Sequence, residues 1–410
     1  MDENNRDIDF NLPFVKRGQE VVKLTRNAPG FKRDDGRMIV QNLLSLKQVA
    51  YNDRLKSYCL LNGLGGNVNY NIEGLNFDEI DEKCQKAIQI AIQDSFKKTE
   101  TPCSFEPNST KLSQFVKNLL KQVSISRESS FQVAIALGIP VKAASSFLKD
   151  VLGKRDFFLL NHIEAIFWYC IKNDLSFSDV LRLINIYDSS PGTYNGTKVS
   201  EEKFEAACMQ AEDEQSFMKL LLTLKGGPAR DSNETAHREY IKLLRKCQEA
   251  IADDYNRDNE WQGKEASWRP EDITAADVEN ALCEGMPFDN GNLKKYSRSK
   301  LFKIVDFKRP SRGRVAEVLS RKSEVDRTDL IILSLYVANE DCKKDEYMPV
   351  KVSFNEFVRN TNGILDKCHM GKLNSGNPFD CCIILCMSSE GPLSTYAKVW
   401  EAAFMDEAAE

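Results

Sequence analysis

Histidine is scarce: His162, His237 and His369 are the three in a chain of 410 residues. They fall in separate segments, which leaves little room for histidine-rich metal chemistry. No Ser/His/Asp or Cys/His grouping is recognisable from spacing, so each histidine reads as a surface or core residue rather than a base. Long apolar runs are also missing. The most apolar stretch, Phe157 to Tyr169, contains His162 and Glu164. It falls well short of the ~20 residues a bilayer requires, so no membrane partner is expected. The chain opens Met1-Asp2-Glu3-Asn4-Asn5-Arg6-Asp7, acidic and polar, with no apolar core behind a basic start. The expectation is a protein without a secretory signal, located in the cytoplasm. An overall excess of positive charge is lacking too: the net charge is −5, which excludes a uniformly basic polyanion binder. The stretch Gly63 to Gly66 is not followed by Gly-Lys-Ser/Thr and does not spell G-x-G-x-x-G, so it reads as a turn. Carboxylate pairs are plentiful, and none stands out. No catalytic residue and no cofactor is expected.

What is present is ordinary globular material: 42% apolar and 29% charged residues, which argues against disorder along the whole length. The length suggests two or three domains. Twelve cysteines are scattered along the chain, as small core hydrophobes would be, and without an export signal they are expected reduced. Cys368-His369 with Cys381, Cys382 and Cys386 offers thiolate and imidazole, which suit zinc. Paired C-x-x-C knuckles are absent, so buried thiols on a core helix are the preferred reading and no metal is expected.

The apolar spacing is helical almost throughout. Residues 1–37 read as a loose polar arm, 38–104 as a helical segment and 105–187 as a first helical module. Residues 188–272 read as linker and amphipathic helices, and 273–410 as a second helical module. Within 234–254, Tyr240, Leu243, Leu244, Cys247 and Ile251 share one face of a helix. Two short apolar runs, Leu330 to Val337 and Cys381 to Cys386, fit either a buried strand or a helix by periodicity alone.

An internal repeat decides between them. At a shift of 200, Phe115, Leu119 and Ile125 meet Val315, Leu319 and Val325, and Ser126-Arg127 meets Asp326-Arg327. Phe131, Val133 and Ile135 meet Ile331, Leu333 and Leu335. Further on, Asn161-His162-Ile163-Glu164 resembles Asn377-Pro378-Phe379-Asp380, and a cysteine follows each Asn by nine residues (Cys170 and Cys386). The second copy carries sixteen extra residues between these landmarks. Chance similarity between two amphipathic helices is the competing account; the extended in-register match favours duplication. Ser126 and Asp326 are good N-caps, so both copies are read as helical and the fold class as all-α, two related multi-helix modules joined by helical segments.

Two features point at a partner. The first copy contains a possible helix-turn-helix, with Gly138 at the turn and Phe147 buried by the second helix. Lys142, Ser145, Ser146 and Lys149 would then line an outer face able to enter a major groove; a plain packing hairpin is the alternative. The stronger feature is basic. Lys294, Lys295, Arg298, Lys300, Lys303, Lys308, Arg309, Arg312, Arg314, Arg321 and Lys322 stand against Asp306 and Glu317, a net +9 on a chain whose remainder carries −14. Tyr296, Phe302 and Phe307 interleave with them. Such a stripe would attract phosphates, and its aromatics could stack on bases. An acidic protein partner, or an acidic surface elsewhere in the same fold, is the competing reading.

Several strings resemble a pattern in uncharacterised helical proteins of Gram-positive gut bacteria. They are Asp277-Val278-Glu279-Asn280-Ala281, Gly291-Asn292-Leu293, Ser311-Arg312-Gly313-Arg314-Val315 and Val325-Asp326-Arg327-Thr328-Asp329-Leu330-Ile331. Asn377-Pro378-Phe379-Asp380 and Leu393-Ser394-Thr395-Tyr396-Ala397-Lys398-Val399-Trp400 belong to the same likeness. It covers roughly 273–404, with a fainter echo at 112–187, and implies an all-helical, helix-turn-helix-like module with no catalytic residue or ligand to transfer. The expected function is a non-enzymatic bacterial regulatory protein that binds nucleic acid, DNA foremost. A protein–protein adaptor built from helical repeats is the alternative.

Overall fold

The computed structural model describes residues 12–27, 36–45, 51–64, 82–103, 111–122, 124–228, 230–262, 267–286, 288–289, 292–293, 313–344 and 350–405. The fold is all-α. Among the described residues the one β ladder pairs Phe288–Asp289 with Asn292–Leu293. The chain divides into two compact units, one built from 51–232 and the other from 11–50 together with 233–410.

The first unit contains α3 (Tyr51–Leu61), α4 (Glu82–Lys98), α5 (Leu112–Leu119), α6 (Arg127–Leu137), α7 (Val141–Ser146), α8 (His162–Lys172), α9 (Phe177–Ser189), α10 (Glu201–Gln210) and α11 (Glu214–Leu222). Local chemistry sets these boundaries. The Ser126 side chain accepts from the Ser129 N–H to start α6, and Gly138 ends it in the left-handed region at φ 61°. Asn161 accepts from the N–H groups of Ile163 and Glu164 to start α8. Ser176 and Asp179 close a reciprocal capping box on α9. The run Ala165 to Ile171 is buried on every side of α8, which is what a central core helix requires. Phe131 anchors that core, stacking on Phe157 at 5.1 Å and lying 5.3 Å from the Phe167 ring.

The second unit contains α1 (Leu12–Asn27), α2 (Gly36–Ser45), α12 (Glu234–Trp261), α13 (Ala275–Leu282), α14 (Arg314–Leu319), α15 (Arg327–Lys344), α16 (Val350–Lys367), α17 (Pro378–Cys386) and α18 (Pro392–Met405). Both ambiguous runs are helix, as the repeat implied: 330–337 lies inside α15 and 381–386 inside α17. The long helix α12 buries Tyr240, Leu243, Leu244, Cys247 and Ile251.

The amino-terminal region departs from the expectation of a loose arm over 1–37. Leu12–Asn27 is a helix, and it packs with α2 against α17 and α18. Two glycines permit this. A Cβ on Gly18 would sit 1.8 Å from the Ser375 carbonyl oxygen, and one on Gly36 would sit 2.3 Å from that of Lys398. The Arg26 guanidinium also donates to Ser388 Oγ, at 2.8 Å from Nε, and lies 4.6 Å from the Phe354 ring centre.

The two modules share an internal device. Arg127 donates to both carboxylate oxygens of Glu164 at 2.9 and 2.6 Å. It also donates to the backbone carbonyls of Arg155 and Asp156. Arg327 donates to both oxygens of Asp380 at 2.7 and 2.6 Å, and to the carbonyls of Gly371 and Lys372. Each carboxylate then accepts a backbone N–H from six residues upstream, Phe158 at 2.8 Å and Asn374 at 2.7 Å. Asn377 caps α17 through the same two N–H positions that Asn161 uses on α8. One detail of the alignment shifts. Val116 and Leu119 are the buried residues of α5, whereas α14 buries Val315 and Val318 and leaves Leu319 42% exposed. The two helices therefore correspond one residue out of the register read from the sequence.

Candidate nucleic-acid interface

The basic stripe emerges from two fixed ends. On one side is the β ladder of Phe288–Asp289 with Asn292–Leu293. On the other, the buried Glu279 carboxylate of α13 accepts from the N–H of Gly313 at 2.7 Å and of Val315 at 2.8 Å. Those are unpaired donors at the start of α14, and a carboxylate is the natural cap for them. Gly313 takes φ 85°, which a residue with a Cβ rarely adopts.

Eight of the eleven expected cations, Lys294, Lys295, Arg298, Lys300, Lys303, Lys308, Arg309 and Arg312, lie outside the described residues. The other three are placed, and two of them are neutralised within the second unit. Arg314 donates to Asp329 from Nε at 3.1 Å and from Nη2 at 2.6 Å, and Nη2 also reaches the Glu324 carbonyl. The Asp329 pair raises the Arg314 guanidinium further above its ordinary value. Arg321 pairs with Glu234 at 2.9 Å. Lys322 is exposed. The sequence could not reveal the Arg314 pairing, because Asp329 sits fifteen residues away and is brought back by the α14–α15 turn.

The hairpin of the first module is real as a packing unit. Its second helix has six residues and runs directly into a π-helical turn at Phe147–Val151. Ser145 Oγ donates to Asp156 at 2.6 Å, Lys149 pairs with the same carboxylate at 3.0 Å, and Ser146 donates to Asp150 at 2.6 Å. Three of the four residues expected on an outer reading face are thus bonded to carboxylates of their own unit. Lys142 is exposed.

Among the cysteines, Cys382 and Cys386 lie 4.0 Å apart between sulfurs, one turn apart on α17 as their spacing implies. Burial pushes the neighbouring Cys381 thiol up to about 12, which holds it in the protonated form. His237 lies with Nε2 3.1 Å from the Val318 carbonyl oxygen. His162 is half-buried and stacks on Tyr187, ring centres 4.2 Å apart and 10° from parallel. Burial lowers the His162 pKa below its usual range, so the ring is neutral at pH 7. Spacing alone gave no sign of that stack, since Tyr187 lies at the far end of the next helix.

Comparison with known protein families, curated proteins and solved structures finds no match to this chain. No described helix is long and apolar enough to cross a membrane.

Proposed function

We propose that the chain is a non-enzymatic regulatory protein that binds nucleic acid, DNA foremost, through the basic segment 294–312. The observation that carries this reading is charge segregation. The nineteen residues from Lys294 to Arg312 hold eight cations and one carboxylate, a net +7, while the remainder of the chain carries −12. A dense cationic segment on an anionic body is attracted to phosphate and releases condensed counterions on binding. Tyr296, Phe302 and Phe307 supply stacking surfaces in the same stretch. Because Arg314 and Arg321 have internal carboxylate partners, the role falls on the eight cations of 294–312 together with Lys322.

Fluorescence anisotropy with labelled duplex DNA and single-stranded RNA at several salt concentrations tests the reading. Binding that weakens steeply as salt rises supports it, and no salt-sensitive binding to either polymer removes it. The adaptor reading rests on a separate observation: Trp261, at the end of α12, is 92% exposed, and large exposed indoles are enriched where proteins meet. An adaptor would recover a specific partner in a pull-down that survives nuclease, and Trp261→Ala would abolish that recovery.

A further inference from the structure

The first unit holds a partly open pocket of about 310 Å³ lined by the start of α8, the end of α9, residues 223–228 and Arg230. Its polar lining is one-sided. Arg230, Lys225, His162, Tyr187, Tyr194 and Asn161 face it, and no carboxylate is among the described lining residues. On a chain with a net charge of −5, that is a local inversion of sign.

The lining groups are donors, and several are unused. Arg230 is partly exposed and makes no hydrogen bond or ion pair among the described residues. Tyr187 is 7% exposed, and its hydroxyl has no hydrogen-bond partner among the described residues. Burial raises the Tyr187 phenol above its usual range, so it stays protonated and able to donate. His162 is neutral for the reason given above and keeps one ring N–H. The Asn161 carbonyl oxygen is taken by the two N–H groups it caps, which leaves its amide hydrogens.

Lys225 supplies fixed charge rather than free donors. Its ammonium donates to the carbonyls of Tyr187, Asp188 and Ser190 at 2.7, 2.8 and 2.8 Å, closing the end of α9. The walls are held by close backbone approaches. A Cβ on Gly192 would lie 2.3 Å from the Lys225 carbonyl oxygen, and one on Gly227 would lie 3.0 Å from the Tyr194 ring. The site is therefore built into the turn before any ligand arrives.

We propose that this cavity binds the phosphate monoester of a small metabolite. The guanidinium of Arg230 presents a planar fork suited to two phosphate oxygens. The Tyr187 hydroxyl and the His162 N–H supply further donors, and the Lys225 charge offsets the second negative charge. The volume exceeds what inorganic phosphate fills and lies near the lower end of small-molecule pockets, which leaves room for a compact organic body such as a pentose. This site lies in the first unit and is independent of the basic segment 294–312.

Isothermal titration of the full chain with ribose 5-phosphate, inorganic phosphate and ribose tests the proposal. Ribose 5-phosphate should bind, inorganic phosphate more weakly, and ribose not measurably. Arg230→Gln should weaken ribose 5-phosphate binding about tenfold or more, and Tyr187→Phe, which keeps the ring stack, about threefold to tenfold. Arg230 makes no hydrogen bond or ion pair among the described residues, so that variant should keep the wild-type unfolding temperature. No binding of ribose 5-phosphate to the wild type overturns the proposal. So does equal binding of ribose or of inorganic phosphate, or an unchanged affinity in Arg230→Gln.

Discussion

Arg327 grips Asp380 through two hydrogen bonds of 2.7 and 2.6 Å in the interior of the second unit, where the side chains are 6% and 0% exposed. Arg127 and Glu164 repeat the arrangement in the first unit at 23% and 16% exposure. Removing one partner leaves the other charge buried and unpaired. Arg327→Met or Asp380→Asn should each cost about 3–5 kcal/mol. The double variant Arg327→Met/Asp380→Leu should cost less than the sum of the two single changes. Arg127→Met should cost less than Arg327→Met, since its partner keeps some solvent. Calorimetric unfolding read as two transitions measures this, and additive single costs would show that the pair is not a coupled unit.

The docking of the amino-terminal helices on α17 and α18 depends on glycine. Gly18→Ala should destabilise the second unit by about 1–3 kcal/mol, because the new methyl meets backbone rather than a yielding side chain. Gly363→Ala is the control. It lies inside α16 with nothing near its Cβ position, and it should be neutral or stabilising by about 0.5–1 kcal/mol. Urea midpoints compare the two; equal effects would contradict the close approach of α1.

Acid should loosen the first unit through Arg182. Its guanidinium donates to Glu214 at 2.6 and 2.7 Å and to Asp179 at 3.2 Å. The Arg182 hydrogen bonds hold the Glu214 carboxyl below its ordinary value of 4.5. The Ser176 hydrogen bond, with Arg182 beside it, does the same for Asp179 against 3.8. For carboxyls lowered on folding, the stability they supply is present above those ordinary values and is lost as pH falls through the lowered ones. Arg182→Met should flatten that loss between pH 5 and 3 in urea titrations. An unchanged acid slope would mean the pair contributes nothing, as exposed pairs sometimes do.

Much of this fold was legible in the sequence because the repeat rests on short-range chemistry. Ser126-Arg127 and Asp326-Arg327, and the caps Asn161 and Asn377, are signals confined to a few residues. They settled the helical state of 330–337, which periodicity left open. What stayed hidden was chemistry closed over long separations. The amphipathic spacing of α1 answers α17, more than 350 residues on, and only Gly18 marks the meeting place. Arg314 looked like one more free cation until Asp329 returned to it, and Ser145 and Lys149 looked outward until Asp156 did the same. The Tyr187–His162 stack has no sequence signature, because twenty-four residues and a turn lie between the two rings.

The most direct test of the central claim is the salt slope of DNA binding in three proteins. In the wild type, log affinity should fall linearly with log salt, with a slope of about −0.9 per phosphate neutralised. Reversing Lys294, Lys295, Arg298, Arg309 and Arg312 to Glu should abolish binding, whereas Arg321→Gln should leave the slope unchanged because Glu234 already neutralises that side chain. A wild type with no salt-sensitive binding would contradict the account, as would an Arg321→Gln variant that loses as much as the five-fold reversal.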